Sequence, residues 1–184
     1  MLALALFLSG GASLRAQISE PTPTPDPHTY SDPGMEFIAP ADSVLVGRRT
    51  VELKDLTENL QPIAEWVIRP GKEDSIMIGL AMESYEGPPD QWEAQFESQV
   101  HNSSQGVLVR GKTPMSLLNG MPANFVEVTS GEGFQATKQF AVVWADGSRG
   151  IALSITTRVG EISPDDAKKL LRTVKAVRFP LNQP

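Results

Sequence analysis

Three tight-turn signals in the second half of the chain constrain the fold most. Asn119-Gly120 separates residues 107–118 from residues 121–130, and Asp146-Gly147 separates residues 134–145 from residues 148–159. Between these two hairpins, Ser130-Gly131-Glu132-Gly133 supplies a third turn. Asn-Gly and Asp-Gly pairs accept the positive φ that two-residue hairpin turns demand. Four consecutive segments joined in this way predict an antiparallel meander.

The first half reads as shorter strands and one helix. Residues 35–39 form a first strand stopped by Pro40. Residues 43–54 form a second, with Val51 and Leu53 alternating against Thr50, Glu52 and Lys54. Residues 63–69 and 75–85 flank the turn at residues 70–74, and Ile76, Ile78, Leu80 and Met82 share one face of the second of these strands. Gly87-Pro88-Pro89-Asp90 then opens a helix whose Trp92, Phe96 and Val100 make an apolar stripe four residues apart. A last helix starts at Ser163-Pro164-Asp165-Asp166, with Ser163 as its cap and Leu170, Leu171, Val174 and Val177 as its buried side. The expected fold class is α+β: a mostly antiparallel sheet flanked by helices, an α/β/α-like sandwich in a single domain over residues 35–184.

The N-terminal stretch differs. Residues 1–16 are Leu/Ala/Phe-rich and then small, which reads as a signal peptide, cleaved at Ala16-Gln17 or kept uncleaved as an anchor, rather than as a membrane span of about 20 apolar residues. Residues 17–34 carry five prolines and read as an extended Pro/Thr-rich linker. The expected location is extracytoplasmic, periplasmic or secreted, with no transmembrane span in the mature chain. The chain has no cysteine, which removes thiol nucleophiles, thiolate metal sites and redox chemistry. Its net charge of −6 argues against nucleic acid as a partner.

Three segments give the chain a family likeness. Leu118-Asn119-Gly120-Met121-Pro122-Ala123 resembles a "G-x-P-A" hairpin after the first helix. Residues 143–153, around Asp146-Gly147, resemble a "D-G-x-x-Y-x-L" hairpin with Ile151 in the aromatic place, and residues 167–179 resemble a closing helix ending in a basic-aromatic strand. Together they resemble the Mog1/PsbP-like superfamily, which includes the photosystem PsbP proteins, DcrB/DUF1795 proteins and mycobacterial LpqN-type lipoproteins. The resemblance implies an accessory or binding protein rather than an enzyme, although a shared fold does not by itself fix function.

The residues themselves offer no catalytic constellation. His28 falls in the linker and His101 at the end of the first helix, where it suits the helix carbonyls. Seven acids and no Lys or Arg occupy residues 73–109, and a solvated face accounts for them. Glu83, Glu86 and Asp90 are the set to weigh for a cation, and Glu83 with Glu86, or Glu127 with Glu132, for paired-carboxylate hydrolysis. Neither set has the spacing such chemistry needs. Trp66, Trp92 and Trp144 read as core. No catalytic, cofactor-binding or metal residue is therefore assigned, and no cofactor is expected. The expected function is a non-enzymatic extracytoplasmic binding or assembly-accessory role, with another envelope or membrane-associated protein as partner through a sheet edge or the Met115/Met121 hairpin. The alternatives are a small-molecule or lipid-binding protein with a cavity between helix and sheet, and a carboxylate-dependent hydrolase.

Overall fold

A computed structural model of the chain describes residues 26–72, 74–103, 108–130, 136–158, 162–173 and 175–176. Residues 1–25, and with them the expected signal and half of the expected linker, lie outside the described residues, as does the turn at residues 131–135. The described residues form ten strands and two α-helices: β1 Thr29–Asp32, β2 Met35–Ile38, β3 Ser43–Arg48, β4 Gln61–Ile68, β5 Ile76–Ser84, α1 Pro89–Ser103, β6 Leu108–Ser116, β7 Pro122–Ser130, β8 Thr137–Ala145, β9 Arg149–Arg158, α2 Pro164–Leu171 and β10 Lys175–Ala176.

The main sheet is antiparallel, with strand order β3-β4-β5-β9-β8-β7-β6. The meander expected from the turns is its β6–β9 half. Gly120 and Gly147 sit at φ 83 and 100, the region open to glycine without strain. A second sheet, β1-β2-β10, lies against one face of the first and buries Tyr30, Met35 and Phe37. On that face the off-alternating side chains Ile76, Ile78, Leu80 and Met82 of β5 meet Ile151, Leu153 and Ile155 of β9, together with Ala167 and Leu171 of α2. Ser163 caps α2, its Oγ accepting from the Asp166 N–H at 3.1 Å. The opposite face carries α1, whose Trp92 and Phe96 pack on Val126, Val128, Ala141 and Val143. This is the α/β/α arrangement, with a small sheet sharing the α2 side.

Three expectations change. The last helix ends at Leu171 and Lys175–Ala176 is a strand paired with β2, while Val174 and Val177 lie outside the described residues. The linker does not run to residue 34: residues 29–32 form β1, paired in register with residues 35–38, and the prolines flank this hairpin instead of dissolving it. Residues 50–54 are not a strand, because β3 ends at Arg48 and a 3-10 turn occupies Leu53–Asp55. Val51 and Leu56 still reach the core, so the alternation there reflects burial without sheet pairing.

Candidate functional site

Sheet register places three cross-strand rows on the face that carries α1. The first runs Val44–Val67–Met77–Thr156–Gln139–Val128. The second runs Gly47–Glu65–Gly79–Ser154–Ala141–Val126, and the third Pro62–Ala81–Ala152–Val143–Asn124. Residues directly opposite one another share a face, so each row crosses from the β3 edge towards β7. The β7–β8 end of each row lies beneath α1. Among the described residues, no element covers the β3–β4–β5 end.

The result is an open trough of about 390 Å³ between the C-terminal half of α1 and the sheet. Its floor consists of small side chains, Gly79, Ala81, Ala152 and Ser154, and its wall is Phe96 and Val100 of α1. A Cβ built on Gly79 would meet only Ser154 Oγ, at 3.4 Å, so nothing else stands over the floor there. From Met77 at the trough's rim, exposed at 39%, the apolar surface continues to Val44 and Val46 of β3, exposed at 49% and 54%. Contiguous apolar surface on a folded domain marks an interaction site more often than isolated exposed side chains do.

Glu83 holds α1 beside this trough. It follows Met77, Gly79 and Ala81 on the same face of β5 and is fully buried. Trp92 Nε1 and Gln95 Nε2 (2.9 Å) both donate to its Oε1, and Gln99 Nε2 donates to its Oε2 at 2.7 Å. Positions 92, 95 and 99 lie on one helix side, so a single carboxylate gathers three donors from two turns of α1. On the other flank, Glu93 accepts from Asn124 Nδ2 at 2.9 Å and pairs with Lys112 Nζ at 2.7 Å. Burial pushes the Glu83 carboxyl up, and its three neutral donors only partly offset that. A raised folded value means that the native state keeps a proton the unfolded chain has released. Stability from this group is therefore full at acid pH and falls as pH rises through the folded value. Urea unfolding across pH 4–8 is expected to show this decline in the wild type, and the decline disappears in Glu83→Gln.

These positions correct the reading of residues 73–109 as a solvated acidic face: Glu83 and Glu93 are buried tie points of α1. Glu83 does not converge with the exposed Glu86 and Asp90, and no group of three or more potential metal ligands occurs among the described residues. Glu127 pairs with Lys138 at 3.3 Å, while Glu132 lies outside the described residues. His28 is not in a free linker; it is half-buried, with Nδ1 3.4 Å from Ser43 Oγ. His101 is exposed in the last turn of α1, and the three tryptophans are all core. The expected hairpin surface is inverted as well: Met121 is buried, Met115 packs on the core, and Leu118 is the exposed side chain. Both sheet edges are blunted. A register shift interrupts β3 between Leu45 and Gly47, and β6 carries Arg110, Lys112, another shift and Pro114.

A second buried polar cluster escaped the sequence reading. Arg149 donates from Nε to Asp146 Oδ2 at 2.8 Å and from NH1 to Asp32 Oδ2 at 2.7 Å, while Tyr30 OH donates to the same Asp32 oxygen at 2.9 Å. It pins the β1–β2 hairpin to the Asp146-Gly147 turn.

No protein-family model matches the sequence, and no curated protein matches it. A solved structure does: LpqN of Mycobacterium tuberculosis, involved in cell envelope biogenesis, with a TM-score of 0.55 and 17% identity over 80% of this chain and 87% of that one. The chain has an LpqN-like fold. At this identity the likeness to LpqN concerns architecture alone. No helix among the described residues is long and apolar enough to cross a membrane.

Proposed function

We propose that this chain is a non-enzymatic binding or assembly-accessory module that works outside the cytoplasm on an envelope or membrane-associated protein. One observation carries the reading: half of the α1 face of the sheet is apolar, floored by Gly79, Ala81, Ala152 and Ser154, and left without a covering element among the described residues. Sheet faces of this composition are normally buried against another layer. Two of the carboxylates weighed for hydrolysis support the same reading, since Glu83 and Glu127 are engaged in holding the fold. The involvement of LpqN in cell envelope biogenesis agrees with the compartment that the N-terminal segment suggests.

Cross-linking of the protein in its host's envelope fraction, followed by affinity capture, tests this. One enriched complex is the expected result, and capture of nothing above background would count against the module. A second reading, a small-molecule or lipid carrier, is favoured by the size of the trough, about 390 Å³, which falls within the range of about 300–1,000 Å³ for ligand pockets. A co-purified ligand in native mass spectrometry would support it.

A further inference from the structure

We infer that the bare half of the sheet seats one basic amphipathic helix of a protein partner, laid beside α1. This rests on the binding-module reading and names the chemistry of the partner. Strands β3, β4, β5 and β9 present about 14 Å between outer strand axes at the ordinary strand spacing, and a helix with its side chains is about 10–12 Å across. Gly79, Ala81, Ala152 and Ser154 keep the floor low, so a helix backbone can approach as closely as α1 does over its own half. α1 supplies the template. It lays Trp92, Phe96 and Val100, four residues apart, onto the Val and Ala side chains of β7 and β8, and its own Phe96 and Val100 form the wall a second helix would meet. An added strand fits less well, because the register shift at Leu45/Gly47 breaks the β3 edge where it would have to pair.

Glu65 is the charged side chain among the residues lining the trough, and no Lys or Arg lines it. Residues 74–103, which build much of the floor and the wall, contain acids but no Lys or Arg. The buried acids of this stretch, Glu83 and Glu93, are already engaged, which leaves Glu65 as the carboxylate facing a partner in the trough. A helix with Lys or Arg flanking its apolar stripe complements that surface, and an acidic one is repelled.

The test uses two fluorescein-labelled amphipathic peptides of equal length, one of Leu and Lys and one of Leu and Glu, titrated with the purified protein by anisotropy. The Leu/Lys peptide is expected to bind in the micromolar range and the Leu/Glu peptide not to bind. Glu65→Lys and Gly79→Leu should each weaken binding at least tenfold, and the off-face charge reversal Glu52→Lys less than twofold. Gly79→Leu fills the floor; Glu65→Lys leaves packing intact and keeps the test decisive if the first variant folds poorly. Equal binding of both peptides, or indifference to both face variants, overturns the proposal. Neutral N-phenyl-1-naphthylamine separates the outcomes further. If the dye binds and is lost in Gly79→Leu while the peptide fails, the trough belongs to an apolar ligand and the helix is wrong. If neither probe binds, the trough reading behind the proposed function fails with it.

Discussion

Replacing Arg149 with methionine is expected to lower the unfolding free energy by about 3–5 kcal/mol, read from urea midpoints at neutral pH. Arg149 is 3% exposed and lies between two carboxylates, one of them 117 positions away in sequence. Removing it leaves Asp32 and Asp146 facing each other in a buried space, while methionine keeps most of the packing volume. Burial alone would push the Asp32 carboxyl up, but the hydrogen bonds and charge of Arg149 override it and hold the group below the ordinary aspartate range. A depressed folded value contributes stability that is present above the unfolded value of about 3.9 and is lost as pH falls through the folded one. The gap between wild type and Arg149→Met should therefore narrow under acid. Arg149→Lys keeps a charge but not the planar fork that serves both aspartates, so it should recover only part of the loss. A loss below about 1 kcal/mol in Arg149→Met would mean that the cluster is dispensable, against the usual cost of orphaned buried charge.

What the sequence made legible was local. In the Asn119-Gly120 and Asp146-Gly147 turns the glycines take the positive φ expected of them while Asn119 and Asp146 do not, so the turns are local but longer than two residues, and the Ser163 cap depends on four residues. The in-face of β5 could be read because alternation needs no partner to be visible. What escaped was set by distant pairing. β1 was hidden among prolines because its stability comes from β2 and from the Asp32–Arg149 contact, neither of which leaves a mark on residues 29–32. The trough was half visible: Gly79, Ala81, Ala152 and Ser154 stand at the off-face positions of two apolar strands. That β5 and β9 lie side by side is a topological fact, however, with Ser154 Oγ donating to the Gly79 carbonyl at 3.4 Å across 75 positions. Where α1 would land, and so which half stays bare, depends on Glu83 and Glu93 being buried. Acidic character in a polar run argues for the opposite.

Gly150→Ala is expected to cost about 3–5 kcal/mol, as much as truncating a buried tryptophan, because it removes the seat of Trp92. A Cβ at position 150 would lie 1.6 Å from Trp92 Nε1 and 2.0 Å from Cε2, and neither β9 nor the indole has room to give a full ångström. Trp92 is fully buried and donates to Glu83, so its displacement also strips the carboxylate of a donor and loosens the first turn of α1 from the sheet. A double-mutant cycle with Trp92→Leu isolates the cause. If the clash is with the indole, Gly150→Ala should cost far less in the Trp92→Leu background than in the wild type, and the two changes should fall short of additivity by more than about 1 kcal/mol. Strict additivity would instead place the cost in β9 itself. In that case α1 would be held by its carboxylate ties rather than by the packing of its aromatic stripe, and a partner helix copying that stripe would lose its template.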